Sequence, residues 1–144
     1  MSEIADFLRA RIAERRALAE AASPGPWHAN LEADEVVAVD GITVADGFAL
    51  SGRQLRATVQ HIAANDPADV IADCDAKQRL LDAILAEPHA TLRPGGSTAI
   101  YCVTDSDPGE SCECGRDARV SEYVRILVQP FAGHPDHKGG EWAP

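Results

Sequence analysis

The chain has 144 residues, 45% of them hydrophobic, which is enough to bury one core and short for two ordinary domains. Asp and Glu number 23 against 13 Lys and Arg, and the resulting net charge of −10 repels a phosphate backbone, so nucleic acid is disfavoured as a partner. No run approaches the roughly 18 apolar residues of a membrane span, and the opening MSEIADFLRARIAERR lacks the apolar core of a signal peptide; the expectation is a cytoplasmic protein without a membrane role.

In residues 1–23, Ile4, Phe7, Leu8 and Ile12 recur at helical spacing while the charged residues mostly fall elsewhere, which predicts an N-terminal helix. Pro24-Gly25-Pro26 ends it, since two backbone donors are missing and the residue before a proline is pushed out of the helical region. Trp27 follows and is read as a side chain that closes the core rather than as an exposed anchor, because the chain holds few aromatic residues.

Residues 35–46 read EVVAV, Asp40-Gly41, ITVAD, two β-rich runs around a dipeptide suited to a two-residue turn. With that turn, Val39 opposes Ile42 and Val37 opposes Val44, and the expectation is that this branched face packs on the helices. Residues 53–87 predict a helical pair. Leu55, Val59 and Ile62 form the first stripe; Asp66 caps the second helix with Pro67 at its first position, and Ile71, Cys74, Gln78, Leu81 and Leu85 line one side.

Residues 100–144 hold a cysteine-containing loop, a segment at 118–129 that reads as helix by Val120, Val124, Leu127 and Phe131 and as strand by its β-branched content, and an irregular tail in which Trp142 is placed as a pin. The fold class expected is therefore α+β: a mainly helical single domain with one β-hairpin and a zinc-stapled C-terminal loop.

Three of the four cysteines, Cys102, Cys112 and Cys114, fall within CVTDSDPGESCECG. In a reducing compartment close-set thiols point to metal or redox chemistry before structural disulfides, and a polar loop with a cysteine pair at one end and a third cysteine at the other suits tetrahedral zinc. The pair Cys112 and Cys114 is separated by one residue, closer than in the usual zinc knuckle. Cys74 lies on an apolar stripe and reads as core, and His134, held between Gly133 and Pro135, is the preferred fourth ligand. His61 reads as a helix-surface or capping histidine, and His28 and His89 lie beside loop prolines and carry no pattern.

A metal-dependent hydrolase is the alternative, with Asp136 or Glu113 as general base, but three thiolates make the metal a poor Lewis acid. A nucleic-acid-binding zinc module is the second alternative, set against the charge. The acids Asp105, Asp107 and Glu110 lack the spacing of a calcium loop and read as a solvated face. No phosphate-binding loop, nucleophile elbow or His-Glu-x-x-His motif occurs.

Three stretches, SEIADFLRARIAERRALAEAASPGPW, QHIAANDPADVIADCDAKQRLLD and VRILVQPFAGHPDHKGGEW, together resemble a family of small actinobacterial and actinophage proteins, domain of unknown function 6221. His61, Asp66, Pro67, Lys77 and Arg79 match its second motif, and Pro130, His134, Pro135 and Asp136 its last. The chain departs at Asn65, Asp69 and His137, where the family pattern has a histidine, an arginine and an aromatic residue. The SPGPW element is also similar, more loosely, to short phage proteins of the Ead/Ea22 type. The resemblance implies a phage or mobile-element context and no activity. The function expected is a non-enzymatic interaction or regulatory protein that binds a protein partner.

Overall fold

A computed structural model describes residues 2–92, 99–101 and 114–144, with residues 2, 90–92 and 99–101 described by their backbone alone. The element order is α1 (Ser2–Ala21), β1 (His28–Ala29), β2 (Glu35–Val37), β3 (Thr43–Asp46), α2 (Gly52–Ala63), α3 (Pro67–Leu85), β4 (Ala90–Leu92), β5 (Ala99–Tyr101) and α4 (Arg116–Val128), followed by 3₁₀ turns at Gln129–Phe131 and Gly139–Trp142. The class is mixed α+β, with four α-helices and a small three-stranded antiparallel sheet among the described residues. The chain divides into two compact units, one of residues 1–9 with 79–144 and one of residues 10–78.

In the second unit the sheet has the order β1-β2-β3, so the expected hairpin carries an additional two-residue strand. Asn30 closes the β1–β2 connection: its side-chain oxygen accepts from the backbone N–H groups of Asp34 and Glu35 at 3.0 and 3.1 Å, and its amide donates to Asp34 Oδ1 at 2.7 Å. Such a local closure supplies the turn with the hydrogen bonds that a backbone ladder supplies to a strand.

The hairpin register differs from the expected one. Gly41 N–H donates to the Ala38 carbonyl and Ala38 N–H to the Ile42 carbonyl, both at 2.9 Å, while Gly41 sits at φ +83°. This is a three-residue loop, a tight turn followed by a left-handed residue, rather than a two-residue turn. Asp40 Oδ1 accepts from Ile42 N–H at 3.1 Å and helps fix it. Val37 therefore pairs with Thr43, and a shift between Val36 and Val37 brings Val36 opposite Ala45.

The consequence is a change of face, because side chains alternate along a strand. Val36 and Ala38 are buried, whereas Val39 and Ile42 are each 58% exposed, so the expected packing of the Val39 and Ile42 face on the helices is corrected. α2 packs against β1 and β2 and contributes fully buried Val59.

α2 starts on Ser51, whose Oγ accepts from Gln54 N–H at 3.3 Å. α3 starts as its sequence predicts: Asp66 Oδ1 accepts from Asp69 N–H at 3.0 Å, the bond expected of an N-cap. Asp66 is itself buried, and its other oxygen lies 3.4 Å from Trp27 N–H. Trp27 is half-buried rather than closed into the core. Its indole N–H donates to the Ser23 carbonyl at 2.9 Å, and the ring lines an open cavity of about 230 Å³ with Leu18, Pro67 and Val70.

In the first unit the core joins Ile4, Leu8, Leu81, Val120, Val124, Val128 and Trp142. Residues 118–129 are helical. Val120, Val124 and Val128 recur every fourth residue and form one buried stripe, and burial of that stripe outweighs the low intrinsic helix preference of valine. Trp142 is buried, as its reading as a pin requires. Phe7 anchors the tail: its ring centroid lies 5.0 Å from Trp142, 5.5 Å from His134 and 6.0 Å from His137. A second antiparallel ladder, β4 with β5, pairs Ala90 with Tyr101 and Leu92 with Ala99.

Candidate metal centre

α3 ends near Pro88, where the missing proline donor and the restriction on Glu87 stop the helix. The last carbonyls of a helix lack intrahelical partners, and here an arginine from α4 supplies them. Arg116 donates from Nη2 to the Leu85 carbonyl at 2.8 Å and from Nε to the Glu87 carbonyl at 2.9 Å. Arg119, one turn further on, binds the Glu87 carboxylate through Nε at 3.0 Å and Nη2 at 2.6 Å. That hydrogen bond raises the Arg119 guanidinium above its ordinary range.

The same arginine reaches the cysteine segment. Arg119 Nη1 donates to the Cys114 carbonyl at 3.1 Å, and Gly115, at φ +75°, turns the chain from Cys114 into α4. A left-handed residue at this junction favours glycine, since other side chains are strained there. Two guanidinium groups thus fix where α4 begins relative to the end of α3, and with it the position of Cys114.

The Cys114 Sγ lies 3.5 Å from Nδ1 of His89, two residues beyond Glu87. On the other side of the imidazole, Nε2 lies 3.6 Å from Asp117 Oδ1. Asp117 also accepts from Arg116 Nη1 at 2.8 Å, and this bond holds its carboxyl below the usual carboxylate range. His89 stands in no local pattern because its partner is 25 positions away, beyond the β4–β5 ladder. The Pro88 and Gly115 that set the two ends were its visible traces.

His134 occupies a different setting. Its Nδ1 accepts from Asp136 N–H at 3.1 Å and its ring edge meets Phe7, so it takes part in docking the tail. Asp136 is largely exposed. His137 likewise accepts at Nδ1, from Gly139 N–H at 3.0 Å, and sits against Trp142. Cys74 is buried in α3, as read from its stripe, and burial pushes its thiol up. His61 is exposed on α2.

Cys102, Cys112 and Glu113, with the acids Asp105, Asp107 and Glu110, lie outside the described residues. Among the described residues no group of three or more His, Cys, Asp or Glu gathers in a way that could hold a metal ion. Also among them, no helix is long and apolar enough to cross a membrane.

The model of a family of unknown function, DUF6221, matches residues 1–144. No curated protein and no solved structure matches the chain.

Proposed function

The chain belongs to the family of unknown function DUF6221, a membership that brings no activity with it, and from its own residues we propose that it is a non-enzymatic interaction protein stabilised by zinc. The observation that carries the interaction reading is the apolar surface of the second unit. Leu31, Phe48 and Leu50 are almost wholly exposed, and Val39 and Ile42 more than half exposed, all in the loops that flank the strands of one short segment. Large apolar side chains gathered in one exposed patch mark an interaction site.

Charge defines the partner. Between Arg16 and Arg53 the chain has no Lys or Arg, while Glu32, Asp34, Glu35, Asp40 and Asp46 stand among the exposed apolar residues. The complementary surface is an apolar patch rimmed by lysine and arginine on another protein. A phage-type accessory protein that engages a host or defence component is the concrete form of this reading.

Structural zinc held by Cys102, Cys112, Cys114 and one histidine fits the same reading. Sets rich in thiolate close the coordination shell and weaken the Lewis acidity that a hydrolase requires.

The test is capture from lysate of the source organism with the wild type and with a Phe48→Ser/Leu50→Ser variant. Both side chains are solvent-exposed, so the fold tolerates the change. A protein with a basic, apolar surface that is retained by the wild type, lost with the variant and weakened by salt supports the proposal. Equal capture by both chains contradicts it.

A further inference from the structure

We propose that the second unit carries a binding site for a free α-amino acid with a large apolar side chain, in the groove between the end of α1 and the start of α3. The site is separate from the zinc reading and from the exposed surface around Phe48, and uses none of their residues.

The groove consists of two adjoining cavities that share Arg15, Asn65 and Val70. The first has a volume of about 230 Å³ and a mainly apolar lining. Leu18 and Ala19 stand three and four residues after Arg15, so one face of α1 supplies a wall, and Trp27, Pro67 and Val70 complete the lining. Leu18 is 75% exposed and Trp27 only half-buried, so an apolar group seated there removes both from water. An apolar cavity of about 150 Å³ holds a benzene ring, and drug-sized ligands need about 300 Å³ or more; this cavity suits one aromatic or branched side chain.

The second cavity, of about 170 Å³, is lined by Arg15, Asn65, Asp69 and Asp73 beside Val70. Asp73 is bound to Lys77 Nζ at 2.6 Å. The Arg15 guanidinium and the Asp69 carboxylate line the same space, yet among the described residues neither pairs with the other or with any other group. Asn65 spends its amide nitrogen on the His61 carbonyl at 2.8 Å, which leaves its Oδ1 as an acceptor.

Two unpaired opposite charges beside one apolar cavity match a zwitterion. Arg15 takes the carboxylate, Asp69 with Asn65 Oδ1 takes the ammonium, and the side chain enters the space beside Trp27. The N-terminal residue of a peptide offers the ammonium alone, so the free amino acid is the occupant that uses both charges.

The experiment is a titration of the isotope-labelled full chain with L-phenylalanine, L-leucine and L-alanine, and with phenethylamine and phenylpropionate, which lack the carboxylate and the ammonium respectively. The readout is the indole N–H resonance of Trp27; the other tryptophan, Trp142, belongs to the first unit and serves as the control. The expected result is a saturable shift of the Trp27 signal by phenylalanine or leucine with a dissociation constant of about 1 mM or below, and no shift with alanine. Each one-charge analogue binds about three-fold or more weakly. Arg15→Gln removes the preference for phenylalanine over phenethylamine, and Asp69→Asn the preference over phenylpropionate; both side chains are exposed, so the fold tolerates the changes. A Trp27 signal that phenylalanine and leucine leave unmoved at about 10 mM, equal shifts with alanine or the one-charge analogues, or preferences unchanged in either variant overturn the assignment.

Discussion

Arg119 places its guanidinium on the carboxylate of Glu87, with Nη2 2.6 Å and Nε 3.0 Å from the same oxygen. The pair ties the second turn of α4 to the residue just beyond the end of α3, and Arg119 holds the Cys114 carbonyl as well. A partly exposed ion pair of this kind contributes little to stability, so its importance is positional. Arg119→Lys keeps the charge and loses the planar fork. The expected outcome is a small change in urea stability together with weaker metal retention, measured by competition with a chelator.

Arg116 is the stronger fastening. Its guanidinium covers two carbonyls at the end of α3 and is only 20% exposed. Arg116→Ala leaves those carbonyls short of partners and is expected to cost about 1–3 kcal/mol in urea unfolding. Arg116→Lys recovers a minor part, because one ammonium cannot span both acceptors.

Asp66→Ala removes the cap of α3 and the acceptor that faces Trp27 N–H, for an expected cost of about 1–2 kcal/mol. Asp66→Asn keeps the capping oxygen and is expected to recover most of it. Urea titration followed by far-ultraviolet circular dichroism checks both.

The register of the hairpin is tested by a pair of substitutions. Val36→Ala opens space in the core and is expected to cost about 2 kcal/mol, whereas Val39→Thr stays within about 0.5 kcal/mol. Equal costs at the two positions contradict the three-residue loop.

Lys138 Nζ lies 2.6 Å from Glu3 Oε1, and this hydrogen bond raises the ammonium above its ordinary value of 10.5. A raised value in the folded state means that the pair's contribution is fully present below about pH 10.5 and is lost as pH rises through the folded-state value. Lys138 also stands 5.9 Å over the Trp142 ring. In a Trp27→Phe background, Trp142 fluorescence is expected to change in that alkaline window, and Lys138→Met to abolish the change.

Much of the fold was legible because its signals are local. The spacing of Ile4, Leu8 and Ile12, the Asp66-Pro67 start of α3 and the apolar stripe holding Cys74 each depend on residues within a few turns of one another. The hairpin was legible as an element, but its register turned on whether Gly41 alone or Asp40 with Gly41 forms the turn, a choice made by the Asp40 side chain and the burial of Val36. β1 is two residues long and is held by Asn30, so periodicity had nothing to register. In the candidate metal centre, Cys114 was visible as a ligand type. The contact of Cys114 with His89 was not visible, because it forms only when Arg116 and Arg119 bring the start of α4 to the end of α3.

The most direct test of the account is the zinc content of the chain purified without chelators, measured by mass spectrometry for the wild type and for Cys112→Ser/Cys114→Ser, alongside their melting temperatures. The account predicts about one zinc per wild-type chain, no retained metal in the double variant and a lower melting temperature for it. A wild type that carries no zinc and melts at the same temperature as the variant contradicts it.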